Sequence, residues 1–192
     1  MGVEYELKFV ASEELLALLR ETLPGREAVF AMETTYYDTP EGALSLRHYT
    51  LRHRRENQKH ICTLKAPAAI GRGEWETECD DIVAAIPMLC KLGAPEELVA
   101  LTAAGVNPVC GAKFQRVAKL LPFEQSVLEV ALDTGVLIGG GKEAPFWELE
   151  IELKSGETKD ADIFASQLSR AFHLQTQSRS KFRRALALAK GE

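Results

Sequence analysis

Along much of the chain, polar and apolar residues trade places at every step, the period of a strand with one wet and one dry face. From Val3 to Val10, Glu4, Glu6 and Lys8 share one face, while Val3, Tyr5, Leu7 and Phe9 share the other. From Phe146 to Lys154, Glu148, Glu150 and Glu152 oppose Trp147, Leu149, Ile151 and Leu153. The acids of Glu74 to Glu78 lie opposite Trp75, and Glu129 and Asp133 oppose Leu128, Val130 and Leu132. Further strands are predicted over Thr34–Asp38, Leu44–Arg55, Lys59–Lys65 and Lys113–Leu121, with hairpin turns at Glu56-Asn57-Gln58, Pro122-Phe123-Glu124 and Gly139-Gly140-Gly141. Helical spacing appears after Ser12, a candidate N-cap for Leu15, Leu16, Leu18 and Leu19, and again over Asp160–Leu174 and Ser180–Lys190. Two short helices, Asp80–Leu92 and Pro95–Ala104, are predicted in the middle, the first broken or restarted at Pro87. Roughly eight strands with helices at three points give an α+β class built on an antiparallel sheet or barrel, with residues 1–192 as one domain.

Composition narrows the setting. No apolar run approaches the roughly 20 residues of a membrane helix, and the first residues are charged with no apolar leader, so a cytoplasmic protein without a membrane partner is expected. Cys62, Cys79, Cys90 and Cys110 are scattered without a C-x-x-C pair, which speaks against structural zinc. A net charge of −5 argues against nucleic acid as a partner.

That acidity is concentrated. Glu4/Glu6 and Glu148/Glu150/Glu152 are acid-only clusters on single strand faces, an arrangement that repels itself unless cations compensate it. Carboxylates alone favour hard ions such as Mg²⁺ or Mn²⁺. Lys8, Arg52, Arg54, Lys65, Arg72 and Arg116 fall on other strands, and guanidinium groups are the preferred bidentate phosphate binders. An acidic chain can therefore hold a polyphosphate if metals bridge its carboxylates to the substrate. Arg47, His53 and Arg55 blur the alternation around Arg52 and Arg54.

Glu4-Tyr5-Glu6-Leu7-Lys8 resembles the E-x-E-x-K motif of the CYTH, or triphosphate tunnel metalloenzyme, superfamily. The order of the later motifs makes the resemblance specific: Tyr36-Tyr37-Asp38-Thr39-Pro40, Leu51-Arg52-His53-Arg54, Thr63-Leu64-Lys65, Arg72-Gly73-Glu74-Trp75-Glu76, Phe114-Gln115-Arg116, Leu128 to Asp133, Glu148 to Glu152, and Ser180-Lys181 with Arg184. It spans nearly the whole chain and is nearest the bacterial inorganic triphosphatases, here with no C-terminal CHAD domain expected. The resemblance implies an eight-stranded antiparallel barrel open as a tunnel, helices packed outside, and one or two Mg²⁺ or Mn²⁺ ions. It assigns Glu4, Glu6, Glu148 and Glu150 to the metals, with Glu152 an alternative because three alternating glutamates leave the register open. Glu129 and Asp133 join that set, as ligands or by orienting water and basic groups. Lys8, Arg52, Arg54, Lys65, Arg72, Arg116, Lys181 and Arg184 would hold phosphates, and Lys8, Lys65, Tyr36 and Glu74 would stand nearest the chemistry.

Gly139-Gly140-Gly141-Lys142 lacks P-loop spacing, and the four histidines show no ligand pattern. The expected activity is hydrolysis of inorganic triphosphate. Thiamine triphosphatase, a class IV adenylate cyclase (whose His-Phe element this chain lacks) and a non-catalytic polyphosphate-binding module are the alternatives. A homodimer is left open.

Overall fold

The alternation resolves into nine strands and six helices in the computed structural model, which describes residues 5–68 and 72–192. In chain order these are β1 (Glu6–Val10), α1 (Glu13–Thr22), β2 (Glu27–Asp38), α2 (Ala43–Leu46), β3 (Thr50–Glu56), β4 (Lys59–Pro67), β5 (Arg72–Glu78), α3 (Ile82–Lys91), α4 (Glu97–Leu101), β6 (Asn107–Phe123), β7 (Ser126–Gly139), β8 (Lys142–Ser155), α5 (Thr158–Phe172), β9 (Gln175–Thr176) and α6 (Lys181–Lys190). Among the described residues no helix is long and apolar enough to cross a membrane.

All nine strands form one antiparallel sheet in the order β5-β4-β3-β2-β6-β7-β8-β1-β9. Residues of eight strands line one cavity, so the sheet wraps around a lumen. Two details differ from the expected eight-stranded barrel. Two residues, Gln175 and Thr176, add a ninth strand against Phe9 and Val10. No hydrogen-bonded ladder joins β5 to β9 among the described residues, so the wrap is not closed.

Three apolar clusters fix the wrap. Phe9, Val130, Leu149 and Ile151 on the outer face of β1, β7 and β8 pack with Leu16 and Leu19 of α1 and Ala161 and Ala165 of α5. Ser12 starts α1 by accepting a hydrogen bond from the Leu15 amide. Leu51, Leu64 and Ala66 on β3 and β4 are covered by Leu44, Ile82, Ala85, Leu89 and Leu98 of α2, α3 and α4. The third cluster is on the opposite face: Tyr36, Ala112, Leu137 and Phe146 pack against Ala185 of α6. These sheet residues share strand faces with the lumen residues Thr34, Phe114 and Glu150, so α6 lies on the inner face, over one end of the lumen. It comes very close. A Cβ on Gly139 would lie 2.3 Å from the Ala185 carbonyl oxygen and 2.7 Å from the Ala189 nitrogen.

Several elements differ from the sequence expectation. β2, β6, β7 and β8 are longer than predicted, and the segment expected to start a strand at Leu44 first makes the short helix α2. Asp38 holds that turn, accepting from the amides of Thr39, Leu44 and Ser45. Pro87 does not break α3. The carbonyl left without its amide belongs to Val83, which is 60% exposed and can bond to water instead.

Candidate functional site

The lumen is a cavity of about 800 Å³ with two chemically different walls. One wall is built by β1, β8 and β7. Cross-strand register sets Glu6 beside Glu152 and Glu152 beside Glu129, so three carboxylates stand in a row on three neighbouring strands. Directly paired like charges destabilise a sheet unless something neutralises them. Lys8 approaches Glu6 at 2.9 Å, and Lys154 approaches Glu152 at 3.0 Å and Glu129 at 3.9 Å. One step further in, Lys8 pairs in register with Glu150. Burial works against the Lys8 ammonium, but the carboxylates of Glu150 and Glu6 outweigh it and raise its pKa.

The facing wall is basic. Tyr36 is paired with Arg52, Thr34 with Arg54, and Thr50 with Lys65, which carries Arg52, Arg54 and Lys65 onto the inner face of β3 and β4. Across this wall Glu74 lies 3.4 Å and Glu76 3.5 Å from Arg52, Glu56 3.3 Å from Arg54, and Glu74 3.2 Å from Lys65. Burial, then repulsion from Arg52, lowers the pKa of Arg54, and its Nε is buried without a hydrogen-bond partner. Two guanidinium groups held side by side, one of them repelling the other, suit an anion placed between them. Arg72 stands exposed at the rim and donates to the backbone carbonyl of His48 at 3.2 Å and to the Thr50 hydroxyl at 3.1 Å.

Behind the acidic row is a second, buried set. Asp133 and Glu148 are 0% exposed and Glu150 6%. Arg116 grips Asp133 with two hydrogen bonds of 2.8 and 2.7 Å and also bonds Glu150. Lys181, first residue of α6, reaches Asp133 and Glu150 at 2.8 Å each and bonds Glu148 as well. Arg184, one turn on, bonds Glu148 and lies over the Phe146 ring. Burial raises the pKa of Glu148. For Glu150 burial is outweighed by Lys181, Arg116 and Lys8, which hold it ionised.

The chain and its fold have known counterparts. The CYTH domain matches residues 2–186. The chain belongs to the CYTH family. An inorganic triphosphatase of Haemophilus influenzae is 31% identical over 193 residues, covering 96% of this chain and 54% of that protein. The Bacillus subtilis protein YjbK is 31% identical over 81 residues, 42% of this chain and 43% of that one. The chain thus spans about half the length of the curated relatives it matches. Among solved structures, a Hippeastrum adenylyl cyclase homologue with a dominant triphosphatase activity superposes with a TM-score of 0.69 at 20% identity, covering 98% of this chain and 96% of that one. PH1819 of Pyrococcus horikoshii superposes with a TM-score of 0.62 at 22% identity over 97% and 99%. At such identities these two likenesses show the CYTH fold and no more.

Within the CYTH fold, the residues singled out from sequence fall into three places. Glu6, Lys8, Arg52, Arg54, Lys65, Arg72, Glu74, Arg116, Glu129, Glu150, Glu152, Tyr36 and Lys181 all line the lumen. Asp133, Glu148 and Arg184 do not line it but sit behind it, joined to Lys181 or to one another. Glu4 lies outside the described residues. The Tyr36 phenol, buried and 5.0 Å from the Phe182 ring centroid, has its pKa raised by desolvation, so it stays a neutral O–H. Sequence reasoning placed Glu76 on the Glu74 face and gave it no role, and it missed Glu56 and Lys154; Glu56 falls in a predicted turn and Lys154 at a strand end.

Proposed function

We propose that this chain hydrolyses inorganic triphosphate, or a closely related triphosphate, at a terminal phosphoanhydride bond, using a divalent metal ion. The carrying observation is the two-walled lumen: a basic face of Arg52, Arg54 and Lys65 opposite a carboxylate row of Glu6, Glu152 and Glu129. A row of oxygen donors opening onto a polar lumen suits Mg²⁺ or Mn²⁺ rather than softer metals. Glu6, Glu152 and Glu129 would hold the ion, with Glu4 as a further candidate from sequence. Bound there, such an ion supplies an activated water and draws charge from the phosphoryl oxygens.

The remaining work falls to side chains. Arg52 and Arg54 orient the phosphate chain and stabilise charge gathering on its non-bridging oxygens. Lys8 lies between the two carboxylate sets, near enough to the acidic row to meet the phosphate on that side. Lys65, held by Glu74, meets it on the other. Tyr36 can donate a hydrogen bond but, as a neutral phenol, is not a base. α6 covers one end of the lumen and limits water there, which strengthens each of these contacts.

Phosphate release from triphosphate, thiamine triphosphate and ATP, with and without EDTA, tests this reading, alongside an assay for cyclic AMP. Triphosphate should be the preferred substrate, EDTA should abolish turnover, and Mg²⁺ or Mn²⁺ should restore it. Glu6→Gln or Glu152→Gln should weaken metal dependence at least ~10-fold. Turnover undiminished in chelator would sink the metal role. Tight binding without turnover would leave a polyphosphate-binding module, and cyclic AMP would move the chain to the cyclase branch.

A further inference from the structure

The buried acids look at first like a metal site. Asp133, Glu148 and Glu150 each present a carboxylate oxygen within 4.8 Å of the others, and all three residues are buried. The centre of the cage, however, is taken by Lys181. An ammonium has three protons to donate; Lys181 Nζ gives hydrogen bonds to Glu148 and, at 2.8 Å, to Glu150, and stands 2.8 Å from Asp133 as an ion pair. Three carboxylates thus crowd a single ammonium. The rings of Phe114 and Phe146, with centroids 5.2 and 5.4 Å from Nζ, wall the group in.

Charge counting supports the same conclusion. Three negative charges on Asp133, Glu148 and Glu150 are met by three positive ones, on Lys181, Arg116 and Arg184. Lys8, 3.9 Å from Glu150, adds a fourth. A buried cluster whose acids are already met by cations gains little from a divalent ion and would have to expel a cation to admit one. By contrast, the row of Glu6, Glu152 and Glu129 opens onto the lumen, with Lys8 and Lys154 beside it rather than at its centre. α6 adds a second reason for Lys181 to stay. Ser180 caps the helix, and its N-terminal end, positive in sign, points toward the acids through Lys181.

We propose that Lys181 is a resident cation seated in a metal-type carboxylate cage. It keeps divalent ions in the outer glutamate row and acts as a positioning residue for Glu150, without itself gripping phosphate. The inference depends on the metal-dependent reading above only for where ions go in the wild type; the cage and its occupant stand apart from it.

Counting bound Mn²⁺ by equilibrium dialysis and electron paramagnetic resonance tests the idea. Lys181→Met opens the cage and should bind one more Mn²⁺ per chain than the wild type, with a melting temperature that climbs with Mn²⁺ more steeply. Lys181→Arg should bind no additional ion. The double variant Lys181→Met, Glu148→Gln should lose the extra ion while keeping the others. If Lys181→Met folds poorly without metal, Lys181→Gln carries the same comparison, because its shorter side chain vacates the ammonium's place and its amide oxygen is itself a hard-ion ligand. An unchanged Mn²⁺ count in the opened variants overturns the proposal. So does a tenfold or greater rise in KM for triphosphate in Lys181→Met whatever the count, the behaviour of a phosphate ligand. A wild type that binds no Mn²⁺, beside a Lys181→Met variant that binds one, would refute the metal role proposed for the outer row and leave this inference standing.

Discussion

Replacing Arg54 by Met should separate what this residue does for binding from what it does for folding. In the folded protein its side chain is 17% exposed, its nearest carboxylates are Glu56 at 3.3 Å and Glu76 at 4.0 Å, and its Nε has no hydrogen-bond partner. Burial and the neighbouring Arg52 both disfavour the charge. Such a group contributes little to stability, and Glu56 and Glu76, 24% and 42% exposed, can turn to water when it goes, so its loss should change stability by no more than ~1 kcal/mol in either direction. At about 2–4 °C per kcal/mol for a chain of this size, Tm should stay within ~4 °C of the wild type. Catalysis should not be spared. Losing a charge-assisted contact to phosphate, worth roughly 1.5–3 kcal/mol, lowers kcat/KM about 10- to 150-fold. The assay is calorimetry on both proteins, with and without triphosphate, beside steady-state phosphate release. Triphosphate should raise the Tm of the wild type more than that of the variant. A drop in Tm beyond about 4 °C with wild-type kinetics would refute the reasoning, because Arg54 would then be an ordinary structural cation.

Arg116→Met should behave in the opposite sense: it strips Asp133 and Glu150 of a buried partner, at a cost of ~3–5 kcal/mol, and calorimetry should show Tm lower by roughly 6–20 °C. The pKa values of Lys8 and Lys181 are both raised above 10.5 in the folded protein. Their contribution is therefore complete below that value and drains away as pH climbs past it, because the unfolded chain gives up these protons first; melts in alkaline buffers should show this loss, and Lys181→Met should flatten it. Gly139→Ala pushes a methyl into the backbone of α6, at a cost of about 1–3 kcal/mol, and should lower both Tm and triphosphate turnover; an unchanged protein would mean that α6 is not tightly seated.

Much of this site could be read in one dimension because β1 and β8 alternate cleanly. One face of Glu6 and Lys8, or of Glu150 and Glu152, is all charge, and the other is apolar under α1 and α5. The basic wall was harder to see. On β3 the outward residues His53 and Arg55 are also polar, since α2, α3 and α4 cover Leu51 but leave that end of the strand open. There His53 stacks on His60, and Arg55 pairs with Glu33 at 2.6 Å. Alternation could not rank Glu148, Glu150 and Glu152 either. Only the pairing of β8 with β1 and β7, residues far apart in sequence, places Glu152 in the outer row and Glu148 behind it. Lys181 was legible as a basic residue near a helix start, but nothing local shows that its hydrogen-bond partners lie on one strand, 31 and 33 residues earlier.

The gap in the ladder between β5 and β9 has its own consequence for motion. The acidic row and the basic wall belong to one sheet, connected the long way round through β6 and β2 and, among the described residues, by no hydrogen-bonded strand pair across the seam. The two edges can therefore part without breaking a rung of the ladder, and the least costly way for the lumen to breathe is to open along that line. A bound polyanion, touching Arg52 on one side and cations held by Glu152 on the other, would work as a clasp across it. Amide hydrogen exchange should then slow on ligand binding in β4 and β5, far from the acidic row, as well as in β1. The lumen would be stiffest when it is full.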